Sequence, residues 1–453
     1  MKDIPLFKKI LIANRGEIAI RVERACKELG IKTVAVYSDV EKDAMHVRMA
    51  DESICIGPAR AADSYLNIPS ILSAAEITDS EAIHPGYGFL SENPQFAEAC
   101  KKSRISFIGP TPENIRLGGN KARAKQIMKK NGIPVVPGSD GAITDKKLIE
   151  KLCQKIGYPV ILKASAGGGG RGMRIVYVEP HLDLALSSAE AEAAAAFGNG
   201  EMYVEKYIPR TRHVEVQIAV DNEGTAIHLG ERDCSVQRRH QKLIEESPSA
   251  AITEKTRERL AKFAVKAAES LKYRNVGTIE FILDNEDNIY FMEINTRVQV
   301  EHPVTELVTG VDIVKEQIRI ASGLPLSIKQ KNVKLKGHAI ECRINAEDPY
   351  TFAPSPGTIT FLYLPGGPGI RVDTFIHAGA TVLPYYDSLI AKVIAYGCNR
   401  KEAIERMRRA LDEFKIEGIK TTIPFHKTVM SNPDFLAGKV DTGYLERVNA
   451  AGK

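Results

Sequence analysis

The sequence predicts an α/β protein in three parts: an N-terminal, Rossmann-like parallel-sheet domain, a middle domain with a mobile glycine-rich lid lobe, and a β-rich C-terminal domain. Three observations predict it. Strand, helix and strand follow one another in KILIA (Lys9 to Ala13), EIAIRVERACKELG (Glu17 to Gly30) and TVAVYS (Thr33 to Ser38), which implies a parallel sheet. Two tight apolar strands flank a run of glycines between Tyr158 and Val178. Beyond about Pro325, short β-rich runs and turn residues replace the strand–helix alternation.

The totals agree with this picture. A chain of 453 residues has room for two to four domains, and 43% hydrophobic with 26% charged residues is ordinary for a globular protein. A net charge of +5 permits attraction of small anions but does not argue for nucleic acid, and none is expected as a partner. Seven scattered cysteines without a CxxC fit free thiols in a reducing compartment. The first apolar run is too short for a secretory signal and no stretch is long enough to span a membrane, so a cytoplasmic location without membrane contact is expected.

In the first domain the turn Asn14-Arg15-Gly16-Glu17 holds one glycine and lacks GxGxxG, which disfavours a dinucleotide-binding dehydrogenase. HPGYGFLSEN (His84 to Asn93) reads either as a rigid turn or as a loop placing Tyr87 and Glu92 at the sheet's carboxyl edge. The helix KARAKQIMKKNG follows, with Lys121 at its start as a candidate phosphate contact and its other lysines as a solvated face. PVVPGSDG then reads as a hinge into the lid lobe. There YPVILK leads into Gly167, Gly168, Gly169 and Gly170, whose backbone N–H groups can face an anion, with Lys163 reaching in from the strand. No GxxxxGK[ST] is present, so this is a flap and not a P-loop. An Ala-rich helix packs the lobe, and MYVEKYI leaves it, carrying Glu205 and Lys206.

Two alternating strands (Val214 to Asp221, Ala226 to Ser235) lead to VQRRHQKLIEESP, read as an anion-facing loop with Arg238, Arg239, His240 and Lys242 beside Glu245 and Glu246. GTIEFIL and NIYFME form a hairpin about DNED, so that Glu280 and Glu293 share a face when the loop is even. Adjacent carboxylates repel unless a cation lies between them, and Mg²⁺ prefers oxygen ligands alongside phosphates. The strand continues as FMEINTRVQVEHPVTE, whose two-residue period puts Glu293, Asn295, Arg297, Gln299 and Glu301 on one side. An exposed strand face is the plain alternative; a metal–nucleotide site running into a grip for a planar anion is the functional one.

Motifs along the whole chain, NRGEIA, HPGYGFLSEN, KASAGGGGRGM, ERDCSVQRRHQK, EINTRVQVEHPVTE, ECRINAEDP and PYYDSLIAK, together resemble the biotin carboxylase subunits of biotin-dependent carboxylases, within the ATP-grasp superfamily. The resemblance implies ATP-dependent carboxylation of biotin by bicarbonate, with Mg²⁺ or Mn²⁺. It implies an N-terminal domain over 1–118, an ATP-grasp domain over 119–325 with its lid lobe at about 136–207, and a C-terminal domain over 326–453. By resemblance, Lys121, Lys163, the four glycines, Glu205, Lys206, Ile208, His213, Gln237 and His240 contact ATP, and Met173 and Ile282 flank its adenine. Glu280, Glu293 and Asn295 hold the metal; Arg297, Gln299, Val300 and Lys242 bind bicarbonate; Glu301 is its base; Arg343 and Tyr87 meet biotin. The one internal Met-Lys, Met128-Lys129, is followed by Lys130, unlike the Ala-Met-Lys-Met of a biotin attachment site. Separate biotin carboxyl carrier and carboxyltransferase subunits are therefore expected, and a homodimer is the family habit. The competing expectations are another ATP-grasp carboxylate–amine ligase, or RNA binding through Arg238 to Lys242.

Overall fold

The computed structural model describes residues 6–139, 141–164, 173–197 and 200–451. The chain opens with β1 (Lys9–Ile12), α1 (Gly16–Glu28), β2 (Lys32–Ser38), α2 (Met45–Met49), β3 (Glu52–Gly57), α3 (Ile68–Ile77), β4 (Ala82–His84), α4 (Pro94–Lys102), β5 (Ser106–Phe107) and α5 (Pro112–Gly119). Its apolar strands pair in parallel in the order β3-β2-β1-β4-β5, as the strand–helix–strand pattern predicts. Helices α3, α4 and α5 start where Asn67, Asn93 and Thr111 each accept a backbone N–H bond in the first turn, with a proline beside the cap.

Strand order reverses between β1 and β4, and in open α/β sheets a ligand crevice forms beyond such a reversal. The 84–93 loop is anchored there: Asn14 Nδ2 donates to the carbonyls of Pro85 (2.8 Å) and Tyr87 (2.7 Å). Gly86 has φ +61°, and a Cβ there would stand 2.8 Å from Asn14 Nδ2, so both conformation and space require glycine.

One residue of α1 is out of character. Glu23 is buried, and neither of its carboxylate oxygens has a hydrogen-bond partner among the described residues. Burial pushes its carboxyl up to about 8 against the opposing pull of Arg24. A raised carboxyl is uncharged and tolerated at low pH; its contribution is lost as pH rises from the unfolded value through about 8. Glu23→Leu should therefore raise Tm more at pH 8 than at pH 5. An equal gain at both values in thermal scans would show that Glu23 does not titrate in the fold.

Next come α6 (Lys121–Lys130), α7 (Lys146–Ile156), β6 (Val160–Ala164), β7 (Met173–Val176), α8 (Leu182–Phe197) and β8 (Met202–Lys206). The three strands form an antiparallel sheet, β7-β6-β8, covered by α7 and α8 over a core that includes Ile149, Leu162, Leu186 and Val204. This is the lid lobe; its glycines at 167–170 lie outside the described residues.

The remainder contains β9 (Arg212–Val220), β10 (Ala226–Arg238), β11 (Gln241–Ser247), α9 (Glu254–Ser270), β12 (Asn275–Leu283), β13 (Ile289–Asn295), α10 (His302–Thr309) and α11 (Ile313–Ala321). It continues with β14 (His338–Asn345), β15 (Gly357–Thr358), β16 (Phe361–Tyr363), β17 (Ile370–Thr374), β18 (Thr381–Val382), β19 (Leu389–Gly397), α12 (Arg400–Glu413) and β20 (Lys415–Glu417). One eight-stranded sheet runs β13-β12-β9-β10-β11-β14-β19-β17, so strands of the C-terminal region extend the middle domain's sheet through the β11–β14 pair. Among the described residues no helix is long and apolar enough to cross a membrane.

Two local readings are corrected. The strand that the alternation extends to Glu301 stops at Asn295, and α10 begins at His302 with Pro303 in its first turn. The physical cause comes from far away in sequence: the Thr296 N–H donates to Glu92 Oε1 (3.0 Å), so the 84–93 loop takes the donor that a longer strand would use. Residues 238–242, read as a loop, are the end of a β-hairpin, with Arg239, His240 and Lys242 on the cleft. Arg238 pairs with Gln241, and Arg239 (φ +48°) and His240 (φ +67°) make its two-residue turn.

Candidate active site

A cleft of about 2740 Å³ lies between the lid lobe, α6 and the face of the large sheet. Of the site residues predicted from sequence that the structure describes, all line this cleft except Tyr87.

Its floor is a row of acids. Glu280 on β12 stands directly opposite Glu293 on β13 and Glu215 on β9, so three carboxylates sit side by side across three strands. Glu280 and Glu293 do share a face, but not through an even loop: five residues separate the paired Leu283 and Ile289, and a register shift between Glu280 and Phe281 restores the facing. Such a row is unfavourable without cations, and side chains provide them. Lys242, projecting from β11, places Nζ 2.6 Å from Glu215, 2.8 Å from Glu280 and 2.7 Å from Glu301. His213 bonds Glu280 Oε2 at 2.8 Å, and Lys121, at the start of α6, reaches Glu293 at 2.5 Å. Burial acts to raise the Glu280 carboxyl, yet Lys242 and His213 outweigh it and hold Glu280 well below the usual range.

The 296–301 turn forms the end wall. Arg297 Nε donates to Glu92 (3.1 Å) and its Nη2 to Asn295 Oδ1 (3.2 Å). Gln299 donates to Glu280 (2.9 Å) and accepts from Arg232 (2.8 Å). Glu301 is gripped by Lys242 and, at 2.9 Å, by Arg343 Nη2 from β14, whose Nε binds Glu245 at 2.6 Å. Burial opposes ionisation of Glu301, but Lys242, then Arg343 and Arg232, keep its carboxyl well below the usual range. The charged partners of Glu301 are thus Lys242 and Arg343, with the Cys234 thiol donating to Oε1 at 4.0 Å, whereas Arg297 is bonded to Glu92 and Asn295.

The roof comes from the lid lobe. Glu205 is bonded to Lys125 and, at 2.6 Å, to Lys163. Burial works to raise its carboxyl, and Lys163 with Lys125 brings it down to about 2. Lys125 corrects the reading of α6 as having only Lys121 on the functional side; the i, i+4 spacing from Lys121 was the signal for it. Lys206, next to Glu205 on one strand, turns the other way and donates to the carbonyls of Gly157 (2.9 Å) and Tyr158 (3.0 Å). The Tyr87 hydroxyl is not on the cleft wall: it donates to Glu17 at the start of α1. The basic run at 238–242 is dispersed, Arg238 lying over the Phe352 ring (4.3 Å) while Lys242 is enclosed by acids. Sequence reasoning also passed over Arg232 and Glu215, both fully buried beneath the floor.

The donors suit a hard, oxygen-seeking cation. Glu280 Oε1 already accepts from Lys242, Asn295 and Gln299, while among the described residues Oε2 accepts only from His213, which leaves acceptor capacity there. Glu293 is half-buried and, among the described residues, is ion-paired with Lys121 alone, so a metal could take that carboxylate without breaking the buried network.

Comparison with known proteins agrees with the geometry. The chain matches family models described as biotin carboxylase, N-terminal domain (residues 6–115), carbamoyl-phosphate synthase L chain, ATP binding domain (120–329), and biotin carboxylase C-terminal domain (341–447). It is 56% identical over 449 residues to biotin carboxylase 1 of Bacillus subtilis, covering 99% of this chain and 100% of that protein. A solved complex of Campylobacter jejuni biotin carboxylase with β,γ-ATP superposes with a TM-score of 0.94 at 53% identity, over 99% of this chain and 100% of that one. The biotin carboxylase domain dimer of Hydrogenobacter thermophilus 2-oxoglutarate carboxylase, solved with MgADP, ADP and bicarbonate, gives a TM-score of 0.92 at 53% identity, over 98% of each chain.

Proposed function

Because this chain belongs to the biotin carboxylase family, whose members carboxylate biotin with bicarbonate and ATP, we propose how its own residues divide that reaction. The enzyme is an ATP-grasp ligase. Bicarbonate is a weak nucleophile. Its attack on the γ-phosphorus of ATP breaks the bond to the β-phosphate oxygen and gives ADP and carboxyphosphate; carboxyphosphate then divides into CO₂ and phosphate, the released phosphate takes the proton of the biotin ureido N–H, and the nitrogen attacks CO₂. Phosphoryl transfer of this kind depends on positioning and on neutralising charge.

In this reading Lys121, Lys163 and His240 hold the phosphates beneath the lid, with Glu205, Ile208, Met173 and Ile282 around the nucleoside. Glu280, Glu293 and Asn295 hold magnesium, which when bound neutralises phosphate charge. Arg297, Gln299, Val300 and Lys242 orient bicarbonate. Glu301 takes the bicarbonate proton, and Arg343 steadies the developing charge on the ureido oxygen. The lid excludes water from an intermediate that would otherwise hydrolyse. Tyr87, bonded to Glu17, acts on the biotin side through its loop.

The observation that carries this reading is the position of Glu301: an ionised carboxylate clamped between Lys242 and Arg343, at the end of the same acid row that can bind the metal. ATP cleavage should require bicarbonate and rise on addition of free biotin. Turnover indifferent to bicarbonate in a phosphate-release assay would point instead to a carboxylate–amine ligase.

The same reading places the protein in the cytoplasm as one subunit of a multi-component carboxylase, with biotin presented on a separate carrier protein and a carboxyltransferase as third component. A homodimer is supported by the dimeric relative. The domain limits 1–118, 119–325 and 326–453 are proposed alongside it, with the lid lobe at about 136–207.

A further inference from the structure

Behind the 296–301 turn lies a cation that none of these roles uses. Lys392, on β19, is fully buried. Its register partner on β14 is Arg343 and its partner on β17 is Asp373. Two cations facing each other across a strand pair repel, so each must be drawn to other groups. Arg343 reaches Glu245 and Glu301. Lys392 turns to the backbone of the same turn: Nζ donates to the Val300 carbonyl at 3.0 Å and stands 3.1 Å from Glu17 Oε1 and 3.8 Å from Asp373 Oδ2. Neighbouring strand positions thus grip neighbouring turn residues, one by its carbonyl and the next by its carboxylate.

Two other carbonyls of the turn are held as well. Arg297 Nη1 donates to the Val298 carbonyl (3.2 Å) and the His302 ring donates through Nδ1 to that of Gln299 (2.8 Å). Lys392 differs from both because it comes from another domain; like Arg297, which also bonds Glu92 of the 84–93 loop, it has a second attachment. Glu17 accepts the Tyr87 hydroxyl bond, so one carboxylate joins the ammonium to the 84–93 loop. Asp373 is itself paired with Arg371.

We propose that Lys392 is a positioning residue: by holding the Val300 carbonyl it sets where Glu301 points, and through Glu17 it locks that turn to the Tyr87 loop, so that the bicarbonate and biotin sides of the cleft are aligned by one buried ammonium. The inference rests on the roles given above to Glu301 and Tyr87. A buried ion pair that only stabilises the fold is the alternative.

Lys392→Met tests it with the full-length enzyme, measuring KM for bicarbonate, KM for ATP, kcat with free biotin and Tm. The expected result is a rise of about tenfold in the KM for bicarbonate and a fall of about 10²-fold in kcat for biotin carboxylation, with the KM for ATP within about twofold of the parent, since misplacing a reacting group by about an ångström has effects of that size. Lys392→Met combined with Glu17→Leu removes both charges. It should recover Tm without recovering either the bicarbonate KM or kcat, and it carries the same test if the single variant does not fold. Unchanged bicarbonate KM and kcat in a folded variant would overturn the proposal, as would recovery of both in the double variant. Failure of the underlying reading is visible separately, as bicarbonate-independent ATP turnover in the unsubstituted enzyme.

Discussion

Replacing Glu301 by Gln should lower kcat for biotin carboxylation by about 10²- to 10⁴-fold, the usual contribution of a positioned general base. The expectation follows from what the amide keeps and what it loses. Its oxygen can still accept from Lys242 or Arg343, so the wall of the cleft keeps its shape, but it cannot take a proton. Losing one negative charge also leaves Lys242 and Arg343 less neutralised, which favours an incoming anion. The KM for bicarbonate should therefore stay level or fall while kcat collapses, the pattern of a contact used in the transition state and not in binding. Because Lys242, Arg343 and Arg232 overcome burial and hold the Glu301 carboxyl well below the usual range, the residue is already ionised at neutral pH, and any activity limb near pH 7 belongs to another group. Bicarbonate-dependent ATP turnover near the parent value would remove Glu301 from the base role.

Arg232→Met should be the most damaging single change to stability, about 3–5 kcal/mol by urea denaturation. The guanidinium is completely buried and every one of its N–H groups is used. Nε donates to Glu215 (2.5 Å), Nη1 to Gln217 (2.7 Å) and Thr305 (3.0 Å), and Nη2 to Thr278 (3.1 Å) and Gln299 (2.8 Å). Methionine fills comparable space but strands these acceptors and leaves Glu215 with Lys242 alone. Lysine should not rescue the loss, because a point charge with three donors cannot reproduce a planar fork serving β9, β12, α10 and the catalytic turn at once. A loss below about 1 kcal/mol would show that the network relaxes around the substitution.

These two residues mark the boundary between what could be read early and what could not. Glu301 stands in an alternating polar run whose chemistry is visible in the residue types themselves. Arg232 sits among alternating strand residues, and nothing local distinguishes it from an exposed arginine. Its partners are set by the register of β9, β10 and β12 and by the arrival of α10. The same holds for Lys392, a lone cation in the apolar run LIAKVIAYG, and for Lys125, one of several lysines on a basic helix.

Local physics in the sequence determined the parallel N-terminal sheet, the two strands around the glycine run, and the existence of the hairpin that carries Glu280 and Glu293, because periodicity and turn chemistry act within a few residues; the register shift that sets those two carboxylates opposite each other was not legible there. Only the tertiary structure decided where β13 ends, which cation answers each carboxylate, and that Tyr87 bonds to Glu17. Each of those outcomes depends on a buried charge or backbone donor finding its partner from another element, often more than fifty residues away, and the free energy of such pairing resides in the assembled interior, out of reach of any single segment.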